Sequence, residues 1–325
     1  MRKIGIIGYG AIGQKRESAI KNIGKLVAIS DINENVKNYC FNSKITFFKD
    51  YNELINQKSI DIIFVCTSHK YLGKIVLDCI KKNKHVLVEK PGAIKSKDLL
   101  EIIKILSNSK IKVRVGFNHR YHRAILKAKE LVDSGKLGKL LYIRGRYGHG
   151  GRLGYEKEWR FDKSLSGGGE LIDQGPHLID LARWFFSNEL FLIKGITKNY
   201  FWNINVDDNA FFMLETKKKQ LSMFHVSCTE WKNIFSFEIY GNKGKIEIEG
   251  LGKSYGIEKT KFYKMSNKMG PPETFIWEYP MEDNSWETEI REFVKDIEEN
   301  RKVSPSIEDA YNTLKIIEKI YKENE

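Results

Sequence analysis

The 325-residue chain is 41% hydrophobic and carries a net charge of +13 at neutral pH; at about 150 residues per domain its length predicts two domains, large enough to fold without a disulfide or metal. The basic balance comes from lysines dispersed among acids, as in EIREFVKDIEENRK; that describes a solvated surface, not a nucleic-acid groove, and its field favours anionic or phosphorylated substrates. No run approaches the ~20 apolar residues that cross a bilayer, and MRKIGIIGYG has no signal-peptide core because Gly8 and Gly10 interrupt it, so a cytoplasmic protein without a membrane partner is expected.

Residues 1–120 alternate short apolar runs with amphipathic stretches. Strands are expected at 3–7, 26–30, 61–65, 85–88 and 112–117 and helices at 11–23, 71–82 and 97–107. Gly24 falls where the first helix should stop. Strands that are apolar throughout, separated by helices, predict a parallel sheet covered on both faces. The first strand runs into Gly8-Tyr9-Gly10-Ala11-Ile12-Gly13, and Asp31 ends the next strand, 18 residues past Gly13. In a strand–turn–helix context this is a dinucleotide fingerprint. Gly8 allows the tight turn, Gly10 lets the backbone approach the pyrophosphate, and Gly13 permits close helix–strand packing. The helix N-terminus offers unpaired N–H groups to the diphosphate. Asp31 is expected to accept from the adenosine ribose hydroxyls and to repel a 2′-phosphate. Ile32 follows it where an arginine could have bound one, so NAD is expected in preference to NADP. Further on, Glu89-Lys90-Pro91 lies at the carboxyl end of the fourth predicted strand, the edge where ligands bind in open α/β sheets.

Beyond residue 120 the pattern changes. A helix at 121–134 leads through GKLLYIRGRYG into a loop at 148–166 rich in glycine, aromatics and charge. GGGELIDQGPHLID (167–180) has helical apolar spacing, from Leu171 and Ile172 to Leu178, Ile179 and Leu181. Gly175-Pro176 breaks it, because proline removes a donor and clashes with the preceding turn. Asp173 and His177 stand four positions apart across that break, on one helical face, and the bend would aim His177 into a cleft. Runs at 190–199, 209–216, 220–229, 234–240 and 244–250, joined by turns such as Lys217–Lys219 and Gly241–Gly244, predict hairpins of an open antiparallel sheet. Helices at 285–299 and 306–322 close the chain. The fold class expected is α/β, with one domain at 1–120 and an α+β domain at 121–325. Cys40, Cys66, Cys79 and Cys228 form no CxxC pair, and the histidines show no metal-ligand spacing, so no metal is expected.

The GxGxxG turn, VCTSHKYL (65–72), EKP, GFNHRY (116–121) and GGGxxxDxGxH (167–177), in this order and spacing, resemble the glucose-fructose oxidoreductase / inositol dehydrogenase / MocA (Gfo/Idh/MocA) family over essentially the whole chain. The resemblance implies an N-terminal Rossmann dinucleotide-binding domain. It also implies a C-terminal substrate-binding α+β domain whose large, mostly antiparallel open sheet forms a homodimer or homotetramer interface. The implied activity is NAD(P)-dependent hydride transfer at a secondary hydroxyl or ketone of a sugar, cyclitol or nucleotide sugar.

It carries Lys90, Asp173 and His177 over as the catalytic set. Cofactor contacts are implied at Gly8, Tyr9, Gly10, Ala11, Ile12, Gly13, Asp31, Ile32, Cys66, Thr67, Ser68, His69, Glu89, Lys90 and Asn118. Candidate substrate contacts are Arg120 and, on a loop expected over the cleft, Tyr147, His149, Arg152, Tyr155, Trp159 and Arg160, the arginines suiting a carboxylate or phosphate. Thr67-Ser68-His69 departs from the Thr-Pro-Asn of many relatives, and His119-Arg120 from their frequent Arg-Arg. Either His177 or Lys90 qualifies as the base, with Asp173 orienting. Two alternatives share the fold: a non-enzymatic NAD(P)-binding regulator, and an enzyme that retains its cofactor and uses transient oxidation for hydrolysis, elimination or epimerisation.

Overall fold

The computed structural model describes residues 1–21 and 23–325. It divides into two compact units, Met1–Phe117 with Trp286–Tyr311, and Asn118–Ser285 with Asn312–Glu325. In the first, β1 (Arg2–Ile7), β2 (Gly24–Ser30), β3 (Thr46–Phe48), β4 (Ile62–Val65), β5 (His85–Glu89) and β6 (Val113–Gly116) form an all-parallel sheet in the order β3-β2-β1-β4-β5-β6. The connections carry α1 (Ala11–Ile20), α2 (Val36–Asn42), α3 (Tyr51–Ile55), α4 (His69–Lys81) and α5 (Ser96–Leu106). The inner strands are apolar because both faces are covered: Ile4, Ile6, Ile62, Phe64 and Leu87 are fully buried. The strand order reverses between β1 and β4, which opens a crevice at their carboxyl ends.

Two details differ from the sequence pattern. The α2–β3–α3 stretch is not anticipated, since a three-residue strand shows no period. Gly24 does not stop the first helix, which ends at Ile20; it opens β2. A Cβ there would lie 2.5 Å from the tip of the Ile4 side chain and 3.1 Å from the Arg2 carbonyl oxygen, so any larger residue would have to push Ile4 aside.

The second unit continues with α6 (Arg123–Asp133), β7 (Leu140–Gly148), α7 (Lys163–Ser166), α8 (Glu170–Asp173) and α9 (Gly175–Phe186). Seven strands follow: β8 (Leu190–Lys198), β9 (Asn209–Thr216), β10 (Leu221–Ser227), β11 (Ile234–Gly241), β12 (Gly244–Glu249), β13 (Glu258–Lys264) and β14 (Thr274–Tyr279). With β7 they form an eight-stranded sheet in the order β14-β13-β12-β11-β7-β10-β9-β8. Only the β7–β10 pair is parallel, so the sheet is mostly antiparallel, as expected. Its strands alternate, with Ala210, Phe212 and Leu214 of β9 buried while Phe211 faces out. β13 and β14 escape the pattern because Lys259 and Lys261 interleave with buried Thr260 and Phe262, and β14 is an exposed edge.

Two helices, α10 (Ser285–Glu298) and α11 (Ile307–Lys322), end the chain. Ile290, Phe293 and Val294 of α10 share one core cluster with Ile4, Phe64 and Leu87. Trp286–Tyr311 therefore joins the first unit, where a division at 120/121 assigns it to the second. An amphipathic helix buries its stripe wherever an apolar face is available, whatever its place in the chain. Among the described residues no helix is long and apolar enough to cross a membrane.

Candidate active site

In the first unit the glycine turn has the predicted division of labour. Gly8 has φ +87°, and a Cβ there would meet the Cys66 carbonyl and the Thr67 nitrogen within 2.9 Å, so the turn closes against the end of β4 only without a side chain. A Cβ on Gly13 would lie 2.3 Å from the Gly8 carbonyl oxygen. Gly10, the residue before α1, has nothing within 4 Å of that position; its backbone faces open space, as close approach of a pyrophosphate requires. Asp31 accepts from the backbone N–H groups of Tyr9 (2.6 Å) and Asn33 (2.8 Å), which fixes its carboxylate beside the turn. Ala11 and Ile12 begin α1, and Ile32 is exposed. Ser68 precedes α4 and His69 opens it, buried. Cys66 is an inert thiol there, since burial pushes its pKa up.

Lys90 follows directly on β5. Its neighbour Glu89 accepts from Arg16 Nε (2.7 Å), and Arg16 also donates to Glu289 (2.5 Å). The Arg16 side chain is fully buried, and Trp286 lies over its guanidinium at 4.4 Å. Burial raises the Glu289 carboxyl, with the Arg16 charge opposing. Two carboxylates around one arginine thus anchor the end of β5 from which Lys90 leaves. Nothing local in the sequence marks Arg16 or Glu289.

In the second unit the interrupted helix is real. α8 ends at Asp173, Gln174 is the hinge, and Pro176 sits in the first turn of α9, where its missing N–H costs nothing. Leu171, Ile172, Leu178, Ile179 and Leu181 are buried as the spacing predicts. Asp207 fastens the entry: its carboxylate accepts from Leu171 N–H (2.7 Å), Gly169 N–H (3.0 Å) and Tyr321 Oη (2.8 Å). Gly169 packs so closely on the Asp207 backbone that a Cβ would stand 1.9 Å from its carbonyl oxygen. Asp173 and His177 are both buried. Arg160 Nε lies 3.5 Å from Asp173 Oδ2, and the His177 ring stacks on His119 with centroids 3.7 Å apart.

Several expected substrate contacts are otherwise engaged. Arg120 is buried and grips Asp180 of α9 through Nε (2.7 Å) and a terminal nitrogen (2.6 Å), which commits two of its donors to the helix. Arg152 pairs with Glu158, and Arg160 bridges Glu158 and Asp173 while stacking over Trp159. The loop arginines thus face Glu158 of the loop and Asp173 of α8, which weakens the argument for an anionic ligand. Asn118, expected at the cofactor, belongs to the second unit, where it donates to Ser285 Oγ. Tyr147 is buried and hydrogen-bonds Tyr255. His149 Nδ1 accepts from Gly151 N–H (3.1 Å), which leaves the proton on Nε2, 3.2 Å from Tyr155 Oη and 3.6 Å from Glu170. Burial lowers the His149 pKa, favouring this neutral form. Buried Glu170 and His119 are site neighbours that spacing alone does not indicate. His122, Glu258 and Asp283 also gather, with His122 Nδ1 2.7 Å from Glu258 and 3.7 Å from Asp283. Glu258 also accepts the Ala124 and Gly252 N–H groups, so this group fastens the start of α6.

Residues 2–117 match the family model described as "Oxidoreductase family, NAD-binding Rossmann fold", and residues 125–247 match the "GFO/IDH/MocA C-terminal domain". The chain is 24% identical to glucose-6-phosphate 3-dehydrogenase of Bacillus subtilis, covering 100% of this chain and 97% of that protein. It is 32% identical over 196 residues to myo-inositol 2-dehydrogenase of Thermotoga maritima, covering 58% of this chain and 56% of that protein. Among solved structures, levoglucosan dehydrogenase in complex with NADH and levoglucosan superposes with a TM-score of 0.90 at 20% identity, covering 99% of this chain and 96% of that one.

Proposed function

From the premise that the chain belongs to the Gfo/Idh/MocA oxidoreductase family, we propose that it oxidises a secondary hydroxyl of a sugar, cyclitol or nucleotide sugar, or reduces the matching ketone, with NAD as hydride carrier. The observation that carries this reading is the glycine turn at the β1–β4 switch point, where Gly10 leaves open space and Asp31 is pinned beside it. A fixed carboxylate there accepts ribose hydroxyls and repels a 2′-phosphate, which favours NAD over NADP. When bound, NAD supplies the site that accepts hydride. Lys90, Asp173 and His177 supply the proton chemistry: His177 or Lys90 takes the hydroxyl proton, and Asp173, held by Arg160, orients the set.

We also infer a homodimer or homotetramer built on the outward face of the eight-stranded sheet. Phe191, Ile196, Phe211 and Met223 are exposed there on neighbouring strands, and grouped exposed apolar side chains suit an interface between copies.

The test is NADH fluorescence with the purified chain and a panel of free sugars, sugar phosphates, inositols, nucleotide sugars and their keto forms, alongside Lys90→Met. Turnover with one class, abolished in Lys90→Met while NADH affinity is retained, supports the reading. Lost NADH binding in the variant contradicts the proton-transfer role of Lys90. Wild-type NADH binding without turnover across the panel moves weight to a cofactor-retaining enzyme or a regulator.

A further inference from the structure

His177 does not stand alone in its unit. The His119 ring lies face to face with it, centroids 3.7 Å apart and planes 23° from parallel. Tyr147 meets both rings edge-on, at 5.1 Å from His119 and 6.0 Å from His177. Phe235 and His122 close further edges of His119 at 5.8 and 5.6 Å. Its Nδ1 lies 3.3 Å from Asn118 Oδ1, and the Asn118 amide donates from Nδ2 to Ser285 Oγ. An amide oxygen only accepts, so Nδ1 of His119 carries the proton and the ring cannot turn freely.

The stack is also registered from the backbone. His119 sits on a single 3-10 turn, Asn118–Tyr121. The next residue, Arg120, clamps Asp180, three residues beyond His177 on α9. Turn and helix are thus joined at two points, one ionic and one aromatic, and the plane of the His177 imidazole follows from both.

We propose that His119 is a positioning residue for His177, fixing the plane of the imidazole by stacking. This deepens the proposed reading and rests on His177 taking part in proton transfer. A ring rotated out of line places its nitrogen off the path of the proton, and such misplacement slows chemistry without weakening cofactor binding.

The experiment compares His119→Ala with His119→Phe in the full-length protein. His119→Ala is expected to lower kcat roughly tenfold or more, with NADH affinity within about twofold of wild type. His119→Phe, which keeps a ring in the stack, is expected to recover most of that loss. Equal impairment of the two variants, or no impairment in His119→Ala, overturns the proposal. Should His119→Ala fold poorly, His119→Asn removes the ring while keeping a polar side chain. A wild type that turns over nothing in the panel is tested by NMR, with the His177 ring protons assigned by a His177→Gln variant. Ring-current shifts that vanish in His119→Ala and persist in His119→Phe support the stack; shifts unmoved in His119→Ala overturn it. That readout is independent of hydride transfer, so failure of the dehydrogenase reading and failure of the stack are separable.

Discussion

At the scale of single residues, the most informative groups are polar side chains held rigidly before any ligand arrives. Asp31 is held by two backbone N–H groups, so its carboxylate needs no reordering to meet a ribose. Asp31→Ser is expected to weaken NADH binding by roughly 10- to 100-fold, the range for losing a charged hydrogen-bond acceptor, while NADPH binding holds or improves. Fluorescence titration with both cofactors checks this; equal losses would remove Asp31 from cofactor choice. Arg120 shows the opposite case. Its sequence context pointed to a ligand, yet the nearest acid in the fold, Asp180, takes the guanidinium, because an arginine this buried requires a partner.

Among elements, the segment from Gly167 to α9 depends on one distant carboxylate. Asp207 satisfies two N–H groups at the start of α8 and the Tyr321 hydroxyl of α11. Asp207→Ala orphans the Leu171 N–H and leaves the Gly169 N–H only the Tyr321 hydroxyl, 3.2 Å away, so a loss of about 2 kcal/mol in chemical unfolding is expected, within the roughly 1–3 kcal/mol for one unsatisfied buried group. A much smaller loss would show that water or rearrangement replaces it. A second element-level prediction concerns pH. Burial lowers the pKa of His85 in β5, His149 beyond β7 and His225 in β10, with neighbouring charges secondary. Their folded values lie below the unfolded value of about 6.5, so the unfolded chain binds more protons between the two. Stability is therefore complete above pH 6.5 and falls on acidification through that window. Tm measured from pH 7.5 to 5 should drop, and His149→Asn should flatten part of the slope.

For the whole molecule, the two units call for different explanations. The first is held by a continuous apolar interior into which α10 contributes Phe293. The second presents one sheet face to its helices and leaves the other with exposed apolar side chains. If that face joins copies of the chain, light scattering at micromolar concentration should report a dimer or tetramer, and Met223→Lys with Phe211→Lys should yield monomers. A monomeric wild type would end the interface proposal. The charge of +13 is the excess of 55 lysines and arginines over 42 acids, so ion pairs such as those of Lys245 and Lys261 with Glu247 disperse the charge without cancelling that excess.

Short-range pattern along the chain suffices for the parallel strands at the core of the first unit, the glycine turn with Asp31, and the broken helix bearing Asp173 and His177. These are legible because steric needs at a turn and the period of a buried face act over a few residues. Tertiary structure alone decided the rest. Arg16 meets Glu289 across 273 positions, and Asp207 reaches Leu171 across 36. His119 faces His177 only because Arg120 and Asp180 clip a turn to a helix, and α10 joins the first unit because its apolar stripe finds a partner there. Such contacts are chosen by what burial leaves unsatisfied, and spacing along the chain carries no record of that choice.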